Sequence, residues 1–309
     1  CVLESYRCPF DQRISMIENP PPWPKNYKCA VSITFDMDAD SLIHLERPDN
    51  SFKRVSTISQ LRYGPEVAVS RILDTYKRLG LRQTFFVPAW CVAQYPDVIR
   101  RIIDQGHEIG HHGYLHENPL DFNRDAQALL LDKGIDIIQQ STGVAPVGYR
   151  APLYNYTNDT TDLLSERGFK YDASLMGDDI PYILRSQEKT LIELPSHWGC
   201  DDWPPFAHVP DLDYQMPVRS PSAGLSAFIE EFEAAYRWGG LFIPVWHPFV
   251  TGRLARWNAV EDWLCTLVAR EDIWFAPMGE RADHIQQIWN TGTHTPRIDT
   301  LPYYKGPVS

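Results

Sequence analysis

Ala30-Val31-Ser32-Ile33-Thr34-Phe35-Asp36-Met37-Asp38 is a largely apolar, β-branched run that ends in two carboxylates one residue apart. The composition reads as a strand, and alternate strand residues share a face, so Asp36 and Asp38 point into the same space. Two bare carboxylates that close repel, and one pKa rises unless a cation sits between them. A second stretch, His107-Glu108-Ile109-Gly110-His111-His112-Gly113-Tyr114-Leu115-His116, packs four imidazoles into ten residues. Carboxylate oxygens and imidazole nitrogens are the donors a zinc-type divalent ion takes, and a catalytic site keeps three of them with an open position. The pair of stretches predicts a metal-dependent hydrolase.

The second stretch has two readings. His107-Glu108-Ile109-Gly110-His111 matches H-E-x-x-H, the zincin metalloprotease motif, which works on a helix because positions i and i+4 share a face there. Gly106, Gly110 and Gly113 surround it, and each glycine costs about 1 kcal/mol against alanine inside a helix. We therefore read 107–112 as a strand. His112 and His116 then become the metal-ligand pair, converging across a turn that begins at Gly113. A lone histidine is usually a capping or core residue; four beside a carboxylate pair argue for a site.

Outward from these stretches, strand-like segments at 30–36, 82–88, 107–112, 145–150, 168–174, 190–195, 240–246 and 272–276 alternate with helical patterns at 65–79, 95–105, 122–142, 158–167, 221–238, 255–269 and 279–290. This alternation predicts an α/β fold of the parallel (β/α) barrel type, with the site at the C-terminal ends of the strands. An open doubly wound sheet is the alternative, but no glycine-rich phosphate loop supports it. Residues 1–28, with Pro20-Pro21-Pro22-Trp23-Pro24, read as an irregular lead-in, 29–290 as a single barrel domain and 291–309 as a C-terminal tail. Segments 39–63 and 196–220 read as long loops over the mouth, and loops of that length are usually lids or binding loops.

With 309 residues, 43% of them hydrophobic and 12% aromatic, the chain can bury a large core. A formal net charge of −11 argues against nucleic acid or an anionic membrane as partner and is neutral evidence for a small-molecule or neutral-sugar substrate. No apolar run reaches the 18 residues of a membrane span, and no basic start precedes an apolar segment. The expected location is cytoplasmic, with the true N-terminus left open because the chain starts at Cys1. The six cysteines (Cys1, Cys8, Cys29, Cys91, Cys200, Cys265) are scattered without a C-x-x-C pair and read as reduced thiols. The N-x-T sequons at Asn155 and Asn158 are common by chance.

The order of these residues resembles the polysaccharide deacetylase (NodB-homology) family. Thr34-Phe35-Asp36-Met37-Asp38 resembles its first motif and Gly106–Glu117 its second, His-x-x-x-His. Gly148-Tyr149-Arg150-Ala151-Pro152 resembles the third, Asp202-Trp203 the fourth and Val245-Trp246-His247-Pro248 the fifth. The resemblance covers residues 30–250. It implies a distorted TIM-like β/α barrel and metal-dependent hydrolysis of non-peptide C–N bonds. Met37 between the carboxylates and Phe169-Lys170-Tyr171-Asp172-Ala173-Ser174-Leu175-Met176 are most similar to a subgroup of intracellular peptidoglycan-deacetylase-like proteins, close to cyclic imidases and allantoinase-type members. That subgroup implies either a small linear or cyclic amide or an N-acetyl sugar as substrate, and a symmetric homo-oligomer.

Carried over residue by residue, the resemblance implies that Asp38, His112 and His116 hold one divalent metal, zinc foremost, with Co, Mn, Ni or Fe as alternatives. It makes Asp36 the general base, Arg150 the partner that keeps Asp36 ionised, and His247 the general acid supported by Asp202, or by Asp201 one residue away. The backbone around Tyr154 would stabilise the oxyanion, and Tyr154, Trp198 and Trp203 would contact substrate. Two other classes compete: the zincin-like protease using 107–111, and a non-catalytic carbohydrate-binding barrel. The latter predicts loss of Asp36, Arg150 or His247, and all three are present.

Overall fold

The computed structural model describes residues 15–307. Cys1, Cys8 and the first half of the expected lead-in lie outside the described residues. The strands, in order, are β1 (Cys29–Val31), β2 (Thr34–Asp36), β3 (Thr84–Val87), β4 (Glu108–His111), β5 (Gly148–Tyr149), β6 (Tyr171–Asp172) and β7 (Tyr182–Ser186). After them come β8 (Lys189–Glu193), β9 (His208–Val209), β10 (Tyr214–Gln215), β11 (Leu241–Phe242), β12 (Val245–Trp246), β13 (Ile273–Phe275) and β14 (Ile298–Leu301). Nine of them form one sheet in the order β12-β2-β3-β4-β5-β6-β8-β7-β14, and β11-β1-β13 form a second. All neighbours in the two sheets run parallel except β7 and β8.

The expected alternation is present, but the barrel is not closed by strand ladders among the described residues. Instead Asp201 bridges Val245, and Ser196 Oγ donates to Ile243 O at 2.7 Å. The run 30–36 is one rod with a break at Ser32-Ile33, where its neighbour changes from β13 to β3. At the break Ile33 N–H donates to the Gln83 side chain at 2.6 Å, which satisfies a buried donor that no strand reaches. The partner rod 241–246 breaks before Pro244, which has no N–H to give a ladder.

Several expectations need correction. Residues 39–63 are not a loop: they hold helices Ser41–Glu46 and Val55–Tyr63 with a 3-10 turn, Ser51–Lys53, between. The helix expected from residue 65 is the continuation of that second helix. A π turn at Gly64–Ala68 carries the run through to Leu79, since Pro65 lacks an N–H and its ring displaces the carbonyl one turn back. Segment 196–220 contains a short helix, Trp203–Phe206, and the antiparallel pair β9/β10. Within the expected C-terminal tail, β14 pairs in parallel with β7.

The core lies on both faces of the sheet, with Phe35, Phe85, Trp246 and Trp257 fully buried among the strands and the outer helices. Trp23 of the lead-in is buried against Trp274 and donates to Gly239 O at 2.9 Å. Cys29, Cys91 and Cys200 are buried free thiols and Cys265 an exposed one. No helix among the described residues is long and apolar enough to cross a membrane.

His107 belongs to this core. Its Nδ1 accepts from Gln83 N–H at 3.0 Å, and its ring packs between Tyr76 and Phe85. Burial, with a smaller push from Arg82, lowers its pKa to about 4. Between that value and the unfolded value near 6.5 the unfolded chain holds the extra proton, so stability falls as pH drops through this window. The loss from this residue is roughly 3 kcal/mol. Urea midpoints at pH 7 and pH 4.5 should differ less in His107→Gln than in the parent; an unchanged difference would refute the assignment.

Candidate active site

The C-terminal ends of β2, β4, β5 and β12 meet around one cavity of about 340 Å³. Leaving β2, Met37 N–H donates to Phe86 O at 2.8 Å, while Asp38 O accepts from Ser41 N–H and Ser41 Oγ as the first helix starts. These bonds hold Asp36 and Asp38 side by side, both almost fully buried.

Asp36 Oδ1 accepts from Arg150 Nη1 at 2.6 Å, and the same nitrogen donates to Thr34 Oγ1 at 2.9 Å. Arg150 Nε donates to Ala173 O at 3.0 Å and the guanidinium lies over the Phe86 ring at 4.2 Å. Arg150 is fully buried, not a surface ion-pair residue. Burial would raise the Asp36 pKa, but Arg150, then His112 and His247, hold it below the ordinary carboxylate value. Asp36 is therefore ionised at neutral pH.

Asp38, His112 and His116 each offer a ligand atom, and these atoms lie within 4.8 Å of one another. His112 Nε2 stands 3.4 Å from Asp38 Oδ1 and His116 Nε2 3.7 Å from Asp38 Oδ2. Arg150 O can only accept, so His112 Nδ1–H donates to it at 2.7 Å, leaving the Nε2 lone pair free toward Asp38. The turn between the histidines has Gly113 at φ +74° and His116 itself at φ +72°, a left-handed conformation that costs a non-glycine residue 1–3 kcal/mol as a rough scale. Glu117 holds the turn by accepting from Tyr114 N–H at 2.9 Å and Leu115 N–H at 2.6 Å.

Burial is the main cause lowering the pKa of both histidines, His116 to about 4, so both rings are neutral donors at pH 7. Asp38 Oδ1 is buried and has no hydrogen-bond donor, an orphaned anion of the kind a cation satisfies. This trio fits a divalent ion.

A second acidic group, Asp201, Asp202 and His247, fails the same test. Asp202 Oδ1 accepts from His247 Nδ1 at 2.7 Å, and Oδ2 from His247 N–H at 2.9 Å and Thr251 Oγ1 at 2.5 Å. Asp201 accepts from Tyr154 OH at 2.6 Å and from Trp203 N–H at 2.7 Å. Its acceptors are spent within the protein. The geometry also separates the two aspartates that the sequence left open: Asp202 contacts His247, and Asp201 contacts Tyr154. Burial lowers the His247 pKa, but the charges of Asp202, Asp38 and Asp201 outweigh it and raise the value to about 10. His247 Nε2 faces Asp38 Oδ2 at 3.5 Å.

Tyr154, Trp198 and Trp203 line the cavity. Trp198 is half exposed and meets the Tyr154 ring edge-on at 4.9 Å; Trp203 meets His247 at 4.9 Å and Tyr214 at 5.0 Å. In the backbone around Tyr154, the N–H of Tyr154 itself is committed to Ala151 O at 3.0 Å. The preceding amide, Leu153 N–H, has no acceptor among the described residues, and Leu153 lines the cavity. Leu42, Glu46, Phe122, Leu212 and Tyr214 also line it; they sit in segments without a motif, and sequence reasoning missed them.

The zincin alternative is overturned. Glu108 and His111 lie on β4, a strand rather than a helix. His107 faces the core described above. Glu108 accepts from Tyr171 OH, Thr84 Oγ1 and Gly279 N–H at the far end of the strand. The His111 ring packs against Gly134, where an added Cβ would come within 2.1 Å of Nε2.

A polysaccharide deacetylase family model matches residues 61–171. A peptidoglycan deacetylase of Helicobacter pylori is 32% identical over 222 residues, covering 63% of this chain and 76% of that protein. The crystal structure of a Mycobacterium smegmatis protein assigned to the polysaccharide deacetylases superposes with a TM-score of 0.87 at 36% identity, covering 94% of this chain and 100% of that one. The structure of an allantoinase shares the fold at a TM-score of 0.76 and 23% identity, over 90% of this chain and 96% of that one. With its motifs in family order, its parallel α/β fold and these relatives, the chain belongs to the polysaccharide deacetylase family and is a hydrolase of carbon–nitrogen bonds other than peptide bonds.

Proposed function

We propose that this hydrolase cleaves a small uncharged amide, an N-acetyl sugar unit or a compact linear or cyclic amide, with one divalent ion held by Asp38, His112 and His116. A zinc-type ion bound there supplies Lewis acidity, polarising a carbonyl and acidifying water. Asp36, kept ionised by Arg150, takes the proton of the attacking water. His247 holds a proton at Nε2, oriented by Asp202 at Nδ1, and gives it to the leaving nitrogen. Leu153 N–H, with no acceptor of its own, donates to the developing oxyanion. The observation that carries this reading is the convergence of three units on one cavity: the Asp36–Arg150 pair, the trio with its orphaned Asp38 oxygen, and the Asp202–His247 pair.

The lining supports the substrate class. It contains no lysine or arginine, while Glu46, Glu117 and Asp121 add carboxylates to a wall otherwise built from Leu42, Phe122, Trp198, Trp203 and Tyr214. An anionic substrate meets a repulsion of about 0.4 kcal/mol from each carboxylate at a separation of about 10 Å in a water-like dielectric, roughly tenfold for three. The volume is at the small end of ligand sites.

The test combines elemental analysis with a hydrolysis screen before and after chelation, over N-acetylglucosamine oligomers, N-acetylmuramic acid, succinimide, hydantoin and allantoin. About one zinc-like ion per chain and chelator-sensitive turnover of an uncharged member are expected. N-acetylmuramic acid should be turned over roughly tenfold less efficiently than N-acetylglucosamine. Full turnover without metal would overturn the metal assignment, and a preference for the anionic sugar would overturn the substrate class.

A further inference from the structure

Beneath the proposed machinery lies a second pair of buried acids that the reaction above does not use. Asp172 ends β6 and Glu193 ends β8, directly opposite each other in register, and both are fully buried. Asp172 is well served: Oδ1 accepts from Ser174 Oγ at 2.8 Å and Oδ2 from Ser174 N–H at 2.9 Å. Glu193 Oε1 accepts from Leu175 N–H at 3.0 Å, whereas Oε2 is buried without any donor. In register on neighbouring strands, the two side chains lie on the same face of the sheet, where burial first, and then the charge of Asp172, raise the pKa of Glu193. Two carboxylates side by side cannot both ionise in a dry site. The proton belongs on Glu193, because Asp172 already accepts two hydrogen bonds that favour its anion and Glu193 accepts one.

The segment this pair fixes is the one that touches the site. Ala173 O accepts from Arg150 Nε at 3.0 Å. Ser174 Oγ, while donating to Asp172, accepts from Ala151 N–H at 2.8 Å. The turn 173–175 thus holds both the guanidinium that meets Asp36 and the start of the 151–153 stretch that ends at the free Leu153 amide. We propose that Glu193 and Asp172 are positioning residues: a carboxylic acid donating to a carboxylate, which locks the 173–175 turn and through it sets Arg150 and the oxyanion-binding amide. The proposal rests on the roles given above to Arg150 and Leu153. Burial, first of all, raises the pKa of both acids, Glu193 the further, in keeping with a shared proton.

The test uses two conservative variants of the full chain, Glu193→Gln and Asp172→Asn. The side-chain amide introduced by Glu193→Gln can replace the acid O–H as donor to Asp172, whereas the amide introduced by Asp172→Asn turns a donor against Ser174. In the infrared at pH 8, the parent minus Glu193→Gln difference should contain the carbonyl stretch of a protonated acid; its absence overturns the assignment. In nitrogen–proton correlation spectra, the Arg150 Nε–H signal should hold in Glu193→Gln and shift or broaden in Asp172→Asn; an undisturbed signal in folded Asp172→Asn overturns the link to Arg150. With N-acetylglucosamine tetramer as probe, kcat should fall at least tenfold in Asp172→Asn at unchanged KM and metal content, and stay within about threefold of the parent in Glu193→Gln. Equal losses in both variants would overturn the proposal. A parent enzyme inert toward the tetramer would count against the substrate reading, while the two spectra would still decide the pair.

Discussion

Asp36→Asn is expected to lower kcat by about 10³-fold while the bound metal stays at the parent level. General-base catalysis is worth roughly 10² to 10⁴ in rate, and an amide cannot take a proton from water. The new side chain still offers an oxygen to Arg150 Nη1, so the neighbouring geometry is kept. The buried guanidinium loses its counter-charge, however, and breaking one side of a buried pair costs on the order of 3–5 kcal/mol. The melting temperature should therefore fall together with kcat, and rates must be read on protein shown to be folded. Parent-level kcat in folded, metal-loaded Asp36→Asn would remove Asp36 as the base.

His112→Ala and His116→Ala should each strip the metal and leave activity at background, whereas His107→Ala should keep both metal and turnover. The difference follows from which way each ring faces. His112 Nε2 and His116 Nε2 stand near the carboxylate of Asp38, and with three protein donors the loss of one leaves too few to hold the ion against solvent. His107 sits in the core between Tyr76 and Phe85. Elemental analysis of the three variants after dialysis decides the matter: full metal in both His112→Ala and His116→Ala would sink the ligand assignment, and metal loss in His107→Ala would reopen the protease motif.

What could be read from the sequence was whatever left a local signature. The strand before Asp36, the glycines around 106–113 and the helical spacing of 122–142 all made their elements visible. Elements stabilised by distant partners left none. β14, Ile298-Asp299-Thr300-Leu301, has only Leu301 buried and exists because its backbone pairs with β7. Helix Ser41–Glu46 spans six residues, too few for a periodic face, and its buried Ser41, Leu42 and Ile43 are consecutive. The break at Ser32-Ile33 marks a change of neighbouring strand, which one segment cannot encode.

The site divides the same way. Of the residues in compact motifs, Asp36, Asp38, His112, His116 and His247 line one cavity, with Arg150 and Asp202 hydrogen-bonded to Asp36 and His247 behind it. The wall residues Tyr214, Leu212 and Phe122 carry no motif, and only the packing of loops brings them in. The backbone expected around Tyr154 narrows to one candidate donor, because a 3-10 turn at Pro152–Tyr154 spends the Tyr154 amide and leaves that of Leu153 without an acceptor among the described residues.

The proposed base and metal ligands all lie between residues 36 and 116, whereas the proposed proton donor and much of the aromatic wall lie between 198 and 247. On the proposed roles, water activation and leaving-group recognition are inherited on different stretches of gene, joined in space where β12 pairs with β2 and His247 faces Asp38. A lineage can rewrite 196–220 by insertion or exchange, and so change which amine departs, without disturbing the half that makes the nucleophile. Selection for a new substrate should accordingly leave its record in the later stretch, and shuffling between relatives at a point just after Arg150 should yield chimaeras that keep their metal and change their preference.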